Sequence, residues 1–222
     1  NFTLRHADLI IAQTIKQKNK LSKIGINKVK FIRSGQPPAK TNNKLRKKNY
    51  ILWVARVEKW KRPEILLELA RKLKKYNFVM VAPGFDMYPD YDLDFLSEIT
   101  NTPNIRFINK VPFSEIDMLF REAKIFINTS LYEGFPNTFI QSWKNSTPVV
   151  SLDVDPDDII KTNKLGYQSK TISNMCKHIK KLMIDDPFYK KTSKNCYKYY
   201  VNNLHINRMV KSHASVYKNL MK

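Results

Sequence analysis

Cysteine, long apolar runs and acidic side chains are all scarce in this chain, and each scarcity removes a class of protein. The two cysteines, Cys176 and Cys196, stand in helical surroundings without the spacing of a metal site. Two thiols so placed do not make a disulfide framework, and a reducing cytosol is the expected compartment. No apolar run comes near the roughly 20 residues that a helix needs to cross a bilayer. The opening Asn1-Phe2-Thr3-Leu4-Arg5-His6-Ala7-Asp8 is polar and charged ahead of a very short apolar stretch, unlike a secretory leader. It lacks an initiator Met and starts close to a predicted strand, so the chain is expected to be a piece of something longer. Also missing are Gly-x-Gly-x-x-Gly, a Gly-Lys-Ser/Thr phosphate loop, a His-rich metal signature, repeats and low-complexity tracts.

Asp and Glu number 19 against 40 Lys and Arg, a net charge of +21 over 222 residues. Such a surplus favours phosphate, whether in a nucleotide, a nucleic acid or an anionic lipid. The lysines are spread along the whole chain, so the charge alone marks no site. Hydrophobic residues make up 42%, enough for a sizeable core, and the length suits one to two domains.

The pattern along the chain alternates strand and helix. Leu9–Ala12 is a short apolar strand, and Thr14 with Gln17 three residues on makes a capping box for the next helix. Residues 28–33 read as a second strand, closed by Ser34-Gly35. Residues 36–48, with Pro-Pro, Asn-Asn and five Lys or Arg, read as a linker. Beyond it, Tyr50–Ala55 is a continuous apolar run, as in a strand buried on both faces. Pro63 suits a first helical turn, and Ile65, Leu66, Leu69, Ala70 and Leu73 recur at helical spacing. Strands are predicted at 78–82, 105–108, 125–128 and 149–152, with Ser114 capping a helix that begins near Glu115. Three helices, near 172–184, 187–203 and 205–221, close the chain. Buried strands alternating with amphipathic helices predict an α/β, Rossmann-like parallel sheet covered on both faces, with a helical C-terminus.

Open parallel sheets bind ligands beyond the carboxyl ends of their strands. Three predicted strand ends carry notable residues. Arg56 ends the first buried strand and Lys61 follows five residues later, two cations able to clamp a diphosphate. Alone, the segment reads equally as a solvated basic loop. Val81-Ala82-Pro83-Gly84 is a strand leading into a turn, where Gly84 permits close approach of a ligand to the backbone. The third segment runs from Ser130 to Trp143. Gly134 permits a sharp turn, Pro136 fits a first helical turn, and the amides of Asn137 and Thr138 would face a phosphate. Glu133 precedes that turn. A carboxylate there suits a ligand with hydroxyl groups better than phosphate alone. Gln141, eight residues after Glu133, is placed about two helical turns further on.

This third segment resembles the Glu-x7-Glu signature of retaining glycosyltransferases with the two-domain GT-B fold, in particular family 4. "WVARVEKWKRPEILLELA" resembles that family's first donor-domain strand, basic loop and helix, and "NIRFINKVPFSEIDMLFREAKIFINTSLYEGFPNTFIQSWKNSTPVVSLDVDP" its central stretch. "ADLIIAQT" and "VKFIRSGQPP" are similar to the end of its N-terminal domain and the interdomain linker. The resemblance implies a division into 1–35 as the tail of an acceptor domain, 36–48 as linker, 49–204 as donor-binding domain and 205–222 as a crossover helix. It implies that Arg56 and Lys61 bind the donor diphosphate and stabilise the leaving group, and that Glu133 contacts the transferred sugar. Amides near Asn137 and Thr138 would hold phosphate oxygens, Gln141 the ribose, and Val111 would lie beside the base. It further implies a nucleotide-diphosphate sugar as donor, retention of configuration, no cofactor and no bound metal. The partners implied are the missing N-terminal acceptor domain and a glycan or lipid-linked acceptor. The corresponding location is cytoplasmic, peripheral on an anionic membrane.

Two positions depart from the family pattern. Gln141 stands where the signature usually ends in Glu, which keeps hydrogen bonding to ribose but loses the charge. Arg62 stands where a glycine commonly follows the basic-loop lysine, and is expected to add a phosphate contact or to face solvent. Two other classes fit the composition: a basic nucleic-acid module, given 11 Tyr and 12 Phe able to stack on bases, and a non-catalytic domain docking on anionic membrane through residues 172–222. No RRM, KH, OB or helix-turn-helix pattern supports the first, and the second competes with a plain solvated basic face. His6, His178, His205 and His213 lie far from the signature and are expected to face the surface or to pack.

Overall fold

The computed structural model describes residues 2–39, 49–83, 93–112 and 114–221. Gly84 and most of the expected linker lie outside the described residues. The chain opens with α1 (Phe2–His6), β1 (Ile10–Ala12), α2 (Ile15–Lys23) and β2 (Val29–Phe31). β1 and β2 pair in parallel as a small sheet of their own. The capping box is present: the Gln17 amide donates to Thr14 Oγ1 at 3.0 Å, and the Thr14 amide to Gln17 Oε1 at 3.1 Å.

The second block runs β3 (Tyr50–Val54), α3 (Pro63–Lys72), β4 (Asn77–Val81), α4 (Leu93–Thr100), β5 (Ile105–Ile108), α5 (Ile116–Glu122), β6 (Ala123–Asn128) and α6 (Asn137–Lys144). It continues with β7 (Val149–Ser151), α7 (Ile159–Asn163), β8 (Gly166–Gln168) and α8 (Ile172–Ile184), then closes with α9 (Asp186–Asn203) and α10 (Ile206–Leu220). The six strands β3–β8 form one all-parallel sheet in the order β5-β4-β3-β6-β7-β8. The sheet grows outward from β3 in one direction and from β6 in the other, so their boundary is the topological switch point where such sheets bind ligands.

Alternation along β3 feeds two cores at once. Ile51 and Trp53 join the cluster under α3, α4 and α8, while Tyr50 and Leu52 join the one under α5, α6 and α9. The continuous apolar run follows from this, since every second side chain serves a different layer. Two polar atoms of these aromatics are satisfied inside the fold. Tyr50 donates its hydroxyl to Leu119 O at 2.7 Å, and Trp53 Nε1 donates to Thr129 Oγ1 at 2.9 Å.

Three details differ from expectation. Glu115, not Ser114, occupies the cap position of α5, and no side chain caps it. β8 and α7 carried no sequence signal, because Gly166-Tyr167-Gln168 has no apolar run. Gly166, at φ 140°, instead lies so close to β7 that an added Cβ would fall 1.9 Å from Val149 O. A side chain cannot fit there, and the strand pairs because it has none. Pro136 takes the cap position of α6 and the helix starts one residue later, at Asn137.

Candidate functional site

The carboxyl ends of β3 and β6 are joined by a lattice of short contacts between the loops that leave them. After β3, residues 59–61 make a single 3-10 turn, and Arg62 adopts left-handed φ 53° before Pro63 starts α3. The β6 loop lies alongside. Leu131 N donates to Trp60 O at 2.9 Å, and Thr129 Oγ1 donates to Lys61 O at 2.6 Å. Trp60 and Tyr132 stack with ring centroids 5.2 Å apart and planes 8° from parallel. The left-handed backbone at position 62 explains why a glycine suits it, since a side chain there costs about 1–2 kcal/mol. Arg62 is held in that conformation by donating Nε to Thr129 O at 2.6 Å and pairing with Asp153. Its side chain is thus taken up inside the lattice instead of facing solvent freely, which corrects that expectation.

Within this lattice Lys61 and Glu133, 72 residues apart, form an ion pair with both side chains largely buried. Lys61 Nζ also sits 3.8 Å from the centroid of the Trp60 ring. Glu133 is oriented from below by a buried polar chain. Ser130 donates its hydroxyl to Glu133 Oε1 at 2.8 Å, Asn128 Nδ2 donates to Ser130 Oγ at 3.2 Å, and Ser151 Oγ donates to Asn128 Oδ1 at 3.3 Å. Lys61 and Ser130 thus converge on the same carboxylate oxygen. Ser130, Asn128 and Ser151 were missed by sequence reading. Their signal was available only as small polar residues at the ends of two apolar strands.

The remaining predicted residues divide. Arg56 is exposed and pairs with Glu58 at 3.0 Å, while Lys61 turns to Glu133, so in this state the two cations are held by different carboxylates. Asn137 and Thr138 form the first turn of α6, whose amides no side chain caps. Such an N-terminus carries partial positive charge. Gly134 sits in the turn before it, where an added Cβ would meet Gln17 Nε2 at 2.9 Å. Gln141 lies only four residues into α6, because Glu133 precedes the helix. The two-turn spacing expected from the sequence is corrected to about one turn past the helix start. Val111 follows β5 and packs against the core beneath α5 and α6.

The N-terminal block is clasped against these loops. Asp157 accepts from the amides of Ile15 at 3.0 Å and Lys16 at 3.2 Å, capping α2, and pairs with Arg33 at 3.0 Å. Arg33 also donates to the Tyr199 hydroxyl at 3.0 Å and lies 5.7 Å from the Phe135 ring centroid. Gln36 donates Nε2 to Asn137 O at 3.3 Å, and its own amide donates to Leu204 O at 3.0 Å. Burial holds the Tyr199 hydroxyl above its ordinary pKa, partly offset by Arg33.

The histidines pack or lie at the surface, and His205 in addition caps a helix. His178 stacks on Tyr167 with centroids 4.0 Å apart, and His205 Nδ1 accepts the Asn207 amide at the head of α10. A hollow of about 590 Å³ bordered by Arg71, Glu98 and Asn104 lies at the amino ends of β4 and β5, at the other end of the sheet from these loops.

Residues 38–199 match the family model of glycosyl transferases group 1. The chain belongs to that family. No curated protein sequence matches it. A glycosyltransferase from Rickettsia africae is similar in fold, with a TM-score of 0.83 at 20% identity, over 100% of this chain and 68% of that one. S. aureus TarM, solved with UDP and α-GlcNAc-glycerol, aligns at 0.80 and 17% identity over 96% of this chain and 44% of its own. Anabaena HepE, solved with UDP and glucose, aligns at 0.82 and 15% identity over 99% and 65%. This group 1 glycosyltransferase chain therefore spans about half to two thirds of the length of these structures.

Proposed function

We propose that this chain is mainly the donor-binding half of a retaining, metal-independent GT-B glycosyltransferase of family 4. It binds a nucleotide-diphosphate sugar, whose sugar passes to a glycan or lipid-linked acceptor held by an N-terminal domain. The observation that carries the reading is the meeting of Lys61 and Glu133 at the β3/β6 switch point, beside the uncapped N-terminus of α6. A cation, a carboxylate and a helix N-terminus together match a ligand with both phosphates and sugar hydroxyls. That TarM was solved with UDP and HepE with UDP and glucose supports a uridine nucleotide as the first candidate.

On this reading the bond from the anomeric carbon to the diphosphate breaks as negative charge grows on the departing oxygens. Arg56 and Lys61 carry that charge with the amides of Asn137 and Thr138, in the role a divalent cation fills elsewhere. Glu133 accepts hydroxyls of the transferred sugar, Gln141 bonds the ribose, and Val111 and Gly84 border the base and phosphates. Residues 1–35 belong to the acceptor domain, 36–48 to the linker, 49–204 to the donor domain and 205–222 to the crossover helix. The product is a surface or capsular polysaccharide or another glycoconjugate, made in the cytoplasm at the inner face of the membrane.

Calorimetric titration with UDP-, GDP-, ADP- and dTDP-sugars, without metal, tests the donor site. One nucleotide family is expected to bind, and Arg56→Ala/Lys61→Ala to weaken it at least about a hundredfold, as two charged hydrogen-bonding partners are lost. Absence of binding by a folded sample would overturn the reading.

A further inference from the structure

Acidic residues disappear from the end of the chain: after Asp186 there is none. Helix α9 falls in this region. Its inner face is buried, Cys196, Tyr199 and Tyr200 in the core with α6 and Tyr189 in the core with α8. Its outer face carries Lys190, Lys191, Lys194 and Lys198, with Tyr197 and Val201 among them, all exposed. At 3.6 residues per turn these six fall within about a third of the helix circumference. None of the four lysines is in an ion pair among the described residues. The one acidic residue of α9, Asp186, pairs with Lys124 at 3.0 Å and is also within electrostatic reach of Lys190.

This arrangement works against the isolated fold. Lys190, Lys194 and Lys198 stand at successive i,i+4 positions, where like charges repel. In contrast, α3 pairs Lys72 with Glu68 and Arg71 with Glu98. Exposed Tyr197 and Val201 adjoin the cations on the same face, which therefore combines positive charge with apolar reach. That combination fits a helix lying in the interface of an anionic bilayer, with lysine heads at the phosphates and the apolar groups between the headgroups. A nucleic-acid duplex would use the charge but not Val201.

We propose that the outer face of α9 docks this chain on anionic lipid, independently of the donor reaction. The test is sedimentation of the full 222-residue chain with vesicles of phosphatidylcholine alone and of equal parts phosphatidylcholine and phosphatidylglycerol. Binding is expected only to the anionic vesicles. Lys190→Glu/Lys194→Glu/Lys198→Glu should weaken it at least about tenfold, since each basic residue near the surface contributes separately. Lys16→Glu/Lys20→Glu/Lys23→Glu on α2 makes the same change of net charge elsewhere and should weaken it less than about threefold, the part owed to net charge alone. Tyr197→Ser should reduce binding while leaving its salt dependence intact. Circular dichroism establishes that each variant is folded. Equal loss in the two triple variants would reduce the effect to net charge and overturn the proposal. So would binding to phosphatidylcholine alone, or α9-dependent binding to polyuridylate with none to vesicles.

Discussion

Lys61 and Lys194 are the same side chain in opposite circumstances. Lys61 lies between two loops, largely buried, against Glu133 and the Trp60 ring. Lys194 stands on the outer face of α9 among other lysines, exposed and without a carboxylate partner among the described residues. The first is held one-to-one, by a carboxylate and an aromatic ring. The second adds to a row of lysines, none of which is in an ion pair among the described residues. A surplus of +21 is therefore not one property of the chain. At the switch point, cations are balanced one by one, by Glu58, Glu133 and Asp153. On α9 they accumulate.

The contrast breaks most sharply in stability. Lys61→Ala leaves the Glu133 carboxylate largely buried with Ser130 as its remaining partner. It should cost about 1–3 kcal/mol, as for a buried polar group that loses one partner. Urea unfolding measures this, and Glu133→Ala in the same background should restore part of the loss. If Lys61→Ala is neutral, the pair is a surface contact and the contrast with α9 collapses.

Lys194→Ala should do the reverse on a smaller scale. Removing one member of a like-charge i,i+4 series should leave stability unchanged or raise it by about 0.2–0.5 kcal/mol at low salt. The gain should vanish at about 1 M salt, where the screening length is near 3 Å. A loss of comparable size would mean that Lys194 has a stabilising contact.

The smallest effect concerns His178 on α8. Burial lowers its pKa, and Lys181 and Lys177 lower it further. A depressed folded pKa means that the unfolded chain binds the proton more readily. The contribution of neutral His178 is therefore complete above the ordinary histidine pKa and is lost as pH falls through the lower, folded value. Thermal unfolding between neutral and mildly acid pH should show this slope, and His178→Gln should flatten it. An unchanged slope in the variant would exclude His178 as its source.

Much of the sheet was legible because each of its signals is local. The run Tyr50–Val54 is apolar throughout since it feeds two cores, and the Thr14–Gln17 box needs only residues three apart. β8 was not legible because Gly166 pairs through lacking a side chain, which its neighbours in sequence do not reveal. At the switch point, residue types could be named but not their partners. The distance from Glu133 to Gln141 was misjudged because one extended loop and one helix were counted as a single helix.

The sequence by itself determined the alternation of strand and helix, the two-sided burial of the sheet, the family and the identity of Lys61 and Glu133 as candidate residues. These follow from side-chain periodicity and from motifs a few residues long. Only the tertiary structure decided that Lys61 meets Glu133, that Arg62 is locked to Asp153, and that the α9 lysines stand on an exposed face. Such pairings depend on which strand lies next to which. Strand order arises from packing the whole chain, so residues 72 positions apart become neighbours only once the sheet has closed around β3 and β6.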